Sequence, residues 1–273
     1  MKKKKILAFA LAALFAFASI LTATAQSTDR FAVLMYHQVL DSNEIQGEEK
    51  TPWTISTEAF AEQMEYLNLN GFKTLTLAEV YDFLYNGKSL PQKSVLITFD
   101  DGYYSNIERA YPILQKYGFR ATIFSITSYA EGKQAKWTPK SKTGVFISVE
   151  TMPSTFDVFE YASHSHNKHF IENQVAATLL ASHDEMVADI KQSMEIVNIP
   201  FAFSYPFGQH NKALRNALVE SGVSLAFSSR REYVTRSTNP FKIPRISIYS
   251  DNDIDTFKWI VSGTVPFGSV QIN

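Results

Sequence analysis

Ser94-Val95-Leu96-Ile97-Thr98-Phe99-Asp100-Asp101-Gly102 is the stretch from which the rest of the chain can be read. The nearly continuous apolar run Ser94–Phe99 predicts a strand buried on both faces, as in a parallel sheet covered by helices. It ends on two adjacent carboxylates, which point in different directions. One can bind a cation while the other stays free to take a proton. Gly102 permits the sharp turn that exposes both. Alone, an Asp-Asp-Gly triplet is a weak signal and reads more readily as a turn with a helix N-cap, so its surroundings must decide.

Outward from it the same unit recurs. Apolar strands are predicted over 31–36, 121–126, 156–162, 201–205, 223–227 and 243–249. Between them lie helical patterns with recognisable starts. Ser56 precedes Phe60, Met64 and Leu67 at helical spacing, and Thr76 with Glu79 and Ser182 with Glu185 form capping boxes. Further helices are expected over 107–117, where Pro112 marks a break, and over 211–221 and 253–261. About seven strand–helix repeats imply an α/β fold with a parallel sheet, either a barrel or a doubly wound sheet. No linker or composition shift marks a second domain. The least periodic stretch, 128–155, is expected to be an insertion over one face. In such sheets chemistry sits at the C-terminal ends of strands.

The 273 residues include 26 basic and 27 acidic side chains, no cysteine and 45% hydrophobic residues. This profile is globular and excludes collagen, low-complexity disorder and a disulfide scaffold. A net charge of −1 argues against nucleic acid as partner. Without cysteine, any metal must be held by His, Asp, Glu or water. Lys2–Lys5, the uncharged apolar run Ile6–Ile20 and Ala23-Thr24-Ala25 form the pattern of a cleaved signal peptide over residues 1–25, with a retained anchor as the competing reading. The mature domain would be 26–273, with 22 basic residues against 27 acidic. It is expected to be secreted, periplasmic or cell-surface, touching the membrane only transiently through that segment.

Two more strand ends carry polar groups. After 156–162 comes Ser163-His164-Ser165-His166-Asn167-Lys168-His169, with three of the six histidines. Imidazole is the commonest neutral metal ligand. His166 and His169 are spaced i, i+3 and would share a helix face. His164 and His169 are i, i+5 and can share an ion only where His164 ends the strand and the chain then turns. The preceding strand supplies that turn, which favours His164 with His169, with His166 as the competing choice. After 201–205 comes Pro206-Phe207-Gly208, a turn able to aim a backbone N–H into a cleft, as an oxyanion hole requires.

Taken together these segments resemble the polysaccharide deacetylase family, carbohydrate esterase family 4 (the nodulation-protein-B-like domain). The resemblance rests on Val33-Leu34-Met35-Tyr36-His37, Leu96–Gly102, Ala110-Tyr111-Pro112-Ile113-Leu114, Ala121-Thr122-Ile123-Phe124, Ser163-His164-Ser165 with His169, Tyr205-Pro206-Phe207-Gly208 and Asn239–Ile246, in that order. It implies a distorted, incomplete barrel of the (β/α)7 type and metal-dependent removal of acetyl groups from N-acetylated sugars. By the same resemblance Asp101, His164 and His169 would hold a divalent ion, Zn2+ first and Co2+, Ni2+ or Fe2+ as alternatives. Asp100 would be the general base, and the N–H of Phe207 would help bind the oxyanion.

Three departures matter. Many members space the ligand histidines i, i+4, a position held here by Lys168; the i, i+5 spacing is similar to the branch of exported poly-β-1,6-N-acetylglucosamine deacetylases. The family's late Leu-x-His, which supplies a general acid, is missing, since no histidine follows His210. The leaving nitrogen would then be protonated by Asp100 acting twice or by His37. The family's third-motif Arg appears as Ser204, and Arg245 is expected to bring the positive charge to Asp100 instead. Tyr103 and Tyr205 are expected to pack on sugar rings, with Trp53 and Trp137 as further candidates. The expected substrate is an N-acetylglucosamine polymer, and the expected state a monomer. Peptidoglycan or chitin oligomers, or a non-catalytic glycan-binding module, are the alternatives.

Overall fold

The computed structural model describes residues 30–47, 50–132 and 144–263; the expected signal peptide and Trp137 lie outside them. Seven strands form the parallel wall of the sheet: β1 (Arg30–Tyr36), β2 (Ser94–Asp101), β3 (Ala121–Ser125), β4 (Phe159–Ser163), β5 (Ala202–Ser204), β6 (Leu225–Phe227) and β7 (Ile246–Ser247), with the two-residue strands Lys73–Thr74 and Val234–Thr235 added beside β2 and β1. Their spatial order is β6-β5-β4-β3-β2-β1-β7. Ile243, just before β7, makes a parallel bridge to Phe227 at the far edge, and Ser228 donates its N–H to the Ile243 carbonyl. The segment 243–247 therefore touches both edges and curls the sheet into a distorted, incomplete barrel, the architecture that the family resemblance implies.

The helices begin where side chains can satisfy their free N–H groups. Ser56 caps α1 (Thr57–Leu69), and capping boxes open α2 (Leu77–Tyr85) and, further along the chain, the helix His183–Ile196. The expected helix over 107–117 divides into a π-helical turn, Asn106–Ala110, and α3 (Tyr111–Tyr117). Pro112 has no N–H to give, so the ladder shifts register ahead of it. α4 (Thr127–Glu131), α5 (His183–Ile196), α6 (Lys212–Glu220) and α7 (Ile254–Ser262) complete the layer. The expected strand over 156–162 starts later. Met152–Thr155 forms a 3-10 turn and Phe156 lies in the turn that follows it, so β4 begins at Phe159.

Side chains alternate across each strand. Val33, Leu96, Phe124, Ala162, Ala202 and Phe227 form one buried cluster, while Leu34, Ile97, Ile123 and Tyr161 join another with the outer helices. In a closed sheet the first set can only be the interior. Leu77, Val80 and Phe83 of α2 belong to it, so α2 plugs the barrel where the strands begin. Glu160, also buried, accepts the N–H of Leu77 at 2.9 Å. Burial pushes its carboxyl upward while that N–H draws it back down. The acid thus ties the first turn of α2 to the barrel wall. We predict that Glu160→Ala, which leaves that N–H unsatisfied, costs about 1–3 kcal/mol; a lower urea midpoint at unchanged slope would register it.

Candidate metal centre and cleft

β2 extends to Asp101, and the two acids leave it in different senses. Asp100 shares the inward face with Thr98, whereas Asp101 sits at φ 71° and Gly102 at φ 85°. The left-handed conformation therefore falls on the aspartate as well as on the glycine. A side chain at Gly102 would also press on Ser125 Oγ, 2.9 Å from the added carbon. A non-glycine residue held there costs of order 1–3 kcal/mol and is found where geometry matters more than comfort.

Asp100 is buried and bound in a fork by Arg245, Nη1 to Oδ1 at 2.6 Å and Nη2 to Oδ2 at 2.7 Å. Arg245 is itself 1% exposed. It also donates to Ser204 Oγ at 2.8 Å and to the Ser228 carbonyl at 3.1 Å. Burial would raise the Asp100 carboxyl, but the guanidinium and the nearby His164 outweigh it and hold it well below the ordinary carboxylate value. Asp101 has no such partner. Burial, reinforced by Asp100 and opposed by His37 and the Tyr103 hydroxyl, pushes it up to about 6.

His164 ends the same tier of the barrel. Its N–H donates to the Ser125 carbonyl, and its ring Nδ1 lies 2.9 Å from the Ser204 carbonyl. A carbonyl only accepts, so Nδ1 carries the proton and Nε2 presents a lone pair. Burial lowers the ring to about 3, which keeps it neutral. His169, also lowered by burial, bonds its own backbone and turns Nε2 to within 3.1 Å of His164 Nε2. Asp101 Oδ1 lies 3.7 Å from the first Nε2 and 3.5 Å from the second. Two lone pairs and a carboxylate oxygen this close repel one another unless a cation sits between them. A tetrahedral ion with bonds of about 2.0–2.1 Å sets ligand atoms about 3.3 Å apart, close to these separations. Asp101, His164 and His169 therefore fit a divalent metal by donor chemistry and by spacing. His166 turns away, its Nδ1 3.1 Å from Thr127 Oγ1.

These groups line a cleft of about 360 Å³ together with Met35, His37, Trp53, Phe207, Ser229 and Arg245. Phe207 is held at φ 57°. Its turn uses the N–H groups of Gly208 and Gln209 on the carbonyls of Tyr205 and Pro206, and its ring packs on His169, centroids 4.6 Å apart. Gly208 follows at φ 67°, where a side chain would collide with Ser229. His37 rests against Trp53 at 4.6 Å, and its carbonyl accepts from Asn106 Nδ2 at 2.8 Å. Of the two tyrosines expected at sugar rings, Tyr205 lines this cleft, and both hydroxyls are engaged by the protein. Tyr205 is buried with its hydroxyl donating to the Phe241 carbonyl at 3.0 Å. Tyr103 stacks on Phe146 and aims its hydroxyl at Asp101. The half-exposed rings at the cleft are Trp53 and Phe207, 38% and 42% exposed. Sequence reasoning passed over Ser204 as a working group; its carbonyl sets the His164 tautomer, and no spacing rule announces a backbone carbonyl.

A polysaccharide deacetylase family model matches residues 87–226, about half of the chain, which takes in β2 to β5, both acids, His164, His169 and Phe207. A poly-beta-1,6-N-acetyl-D-glucosamine N-deacetylase of Staphylococcus aureus (strain MRSA252) is 28% identical over 234 residues, spanning 80% of this chain and 78% of the relative. Two solved structures share the fold. The Streptococcus pyogenes deacetylase PplD in complex with acetate superposes with a TM-score of 0.71 at 20% identity, over 88% of this chain and 100% of that one. IcaB from Ammonifex degensii superposes with a TM-score of 0.70 at 24% identity, over 87% and 98%. With its family motifs gathered around one cleft at the strand ends, the chain belongs to the polysaccharide deacetylase family and is a polysaccharide N-deacetylase, a hydrolase.

Proposed function

We propose that the chain is an exported, metal-dependent enzyme that hydrolyses acetamido groups of an N-acetylglucosamine polymer, poly-β-1,6-N-acetylglucosamine by preference. The observation that carries the metal-dependent reading is the convergence of Asp101, His164 and His169 beside an Asp100 held ionised by Arg245. The substrate reading is supported by the name of the staphylococcal relative and by the i, i+5 spacing of the two histidines. Export is supported by the pattern of residues 1–25, with 26–273 as the catalytic domain; no helix among the described residues is long and apolar enough to cross a membrane. The mature domain acts as a monomer on glycan, not on nucleic acid.

Asp101, His164 and His169 would hold the divalent ion, Zn2+ in the first place, with an open position left for substrate. Bound there, the ion supplies Lewis acidity to the amide carbonyl and to the attacking water. Asp100, kept as a carboxylate by Arg245, takes the proton from that water through a lone pair left over from the guanidinium fork. The Phe207 N–H donates to the oxyanion as the carbonyl carbon becomes tetrahedral; a donor of this kind typically contributes ~10²–10³ in rate. His37, at the end of β1 and on the rim of the same cleft, gives a proton to the departing nitrogen. Trp53 and Phe207, the exposed rings, offer apolar faces to sugar C–H groups.

Acetate release from β-1,6- and β-1,4-linked N-acetylglucosamine oligomers tests the substrate reading; faster turnover of the β-1,4 series moves the assignment to peptidoglycan or chitin oligomers. Asp100→Asn is expected to retain metal and lose ~10²–10⁴ in kcat, whereas His164→Ala loses metal and turnover together; metal analysis alongside the acetate assay separates them. His37→Gln is expected to lower kcat by ~10²–10⁴, and an unchanged kcat would give the second proton transfer to Asp100.

A further inference from the structure

The three side chains of the metal centre are not equally anchored. His164 is held by two hydrogen bonds to neighbouring strands, through its N–H and through Nδ1. Asp101 ends β2 and is met by the Tyr103 hydroxyl. His169 has less support. Beyond a bond to its own backbone, its ring contacts among the described residues are with His164 and Phe207, and Phe170, which follows, is 51% exposed. Where its Nε2 lies is therefore decided by the loop that delivers it from His164, five residues upstream.

That loop is clamped from two sides. The carbonyls of Ser165 and His166 accept the N–H groups of Thr127 and Ser128 at the start of α4, at 3.2 and 3.1 Å. Ser165 turns the chain at φ 69°, and its Oγ accepts the Lys168 N–H at 3.3 Å. This turn points two consecutive N–H groups, of His166 and Asn167, at α5. Asp189 of α5 receives both, Oδ2 at 2.9 Å and Oδ1 at 2.7 Å. Asp189 is 8% exposed, and no Lys or Arg among the described residues lies within ion-pair distance of it. Burying a carboxylate without a cationic partner is costly, and here both oxygens are committed to the backbone of one loop.

We propose that Asp189 is a positioning residue for the metal centre: by fixing the N–H groups of His166 and Asn167 it sets the loop that brings His169 against His164 and Asp101. This rests on the reading of those three side chains as metal ligands. Asparagine at 189 can accept one of the two N–H groups but turns an NH2 toward the other. Serine can satisfy at most one. Both changes free the loop without substituting any of the three ligand residues.

The test measures Zn2+ affinity of the full chain by competition with a chromophoric chelator, for wild type, Asp189→Asn and Asp189→Ser, together with the melting temperature of each metal-free protein. Loss of a metal ligand's own hydrogen-bond partner typically costs 10–100-fold in affinity; Asp189 acts one step further out, through the loop, and the Kd is expected to rise by about tenfold, the lower end of that range, in both variants. The Co2+-loaded variants are expected to show an altered visible absorption, since one imidazole is no longer held in place. A merely structural Asp189 would lower the melting temperature and leave the Kd within twofold, which overturns the proposal. Should neither variant fold, amide hydrogen exchange in the metal-free wild type decides. Slow exchange at His166 and Asn167 is expected from a clamp that precedes the metal, and fast exchange there overturns it. A wild-type chain that binds neither Zn2+ nor Co2+ removes the metal reading itself, and this inference with it, and is thereby distinct from a wild type that binds metal and variants that bind it equally well.

Discussion

The buried ion pair between Arg245 and Asp100 joins the closure of the barrel to the chemistry of its mouth. Arg245 lies on the segment that bridges the two sheet edges, and its guanidinium reaches inside over the ring of Phe124, 5.4 Å from the centroid. A guanidinium in that position has to be met by a carboxylate and by acceptors for its remaining N–H groups, and Asp100, Ser204 and Ser228 provide them. Removing one member of such a pair leaves an uncompensated buried charge, a loss of about 3–5 kcal/mol. The barrel cannot close in this way without also holding Asp100 ionised at the strand end.

Against that fixed point, the neighbouring acid is free to differ. Asp100 and Asp101 are adjacent in sequence yet leave the strand in different senses, one into the grip of Arg245 and one toward two neutral imidazoles. Burial acts on both. Only Asp100 has a cation of the protein's own to offset it, so one carboxyl falls below its ordinary value and the other rises to about 6. Two titratable groups pushed apart by their surroundings are suited to different tasks. The lone pairs facing Asp101 come from histidines that burial keeps neutral, the state in which imidazole binds metal.

Much of this was legible along the chain. Each of the seven apolar runs holds a strand, though those over 156–162 and 243–249 are shorter than expected, and the capping boxes at Thr76 and Ser182 and the three polar strand ends stand where local rules put them, because alternation and N-cap satisfaction are governed by neighbours a few residues apart. The preference for His169 over His166 as partner of His164 came from the same source, a strand followed by a turn. Tyr103 and Tyr205 could not be sorted in that way. Each follows or ends a strand beside polar groups, and only packing shows that one hydroxyl is spent on Asp101 and the other on the Phe241 carbonyl. The strain at Asp101 was also hidden, since the following glycine is by itself enough to explain a sharp turn.

The amino-acid order by itself determined the α/β alternation, the placement of carboxylates and imidazoles at strand ends, and the ordered motifs of a polysaccharide deacetylase. Arg245 beside Asp100 was expected from the family resemblance; tertiary structure alone decided that it does so as a buried two-point fork, that the Ser204 carbonyl selects the His164 tautomer, and that Asp189 receives the loop before His169. The physical reason is that these contacts arise from the curl of the sheet and the packing of α5 on it, and such long-range geometry leaves no periodicity for a sequence to display.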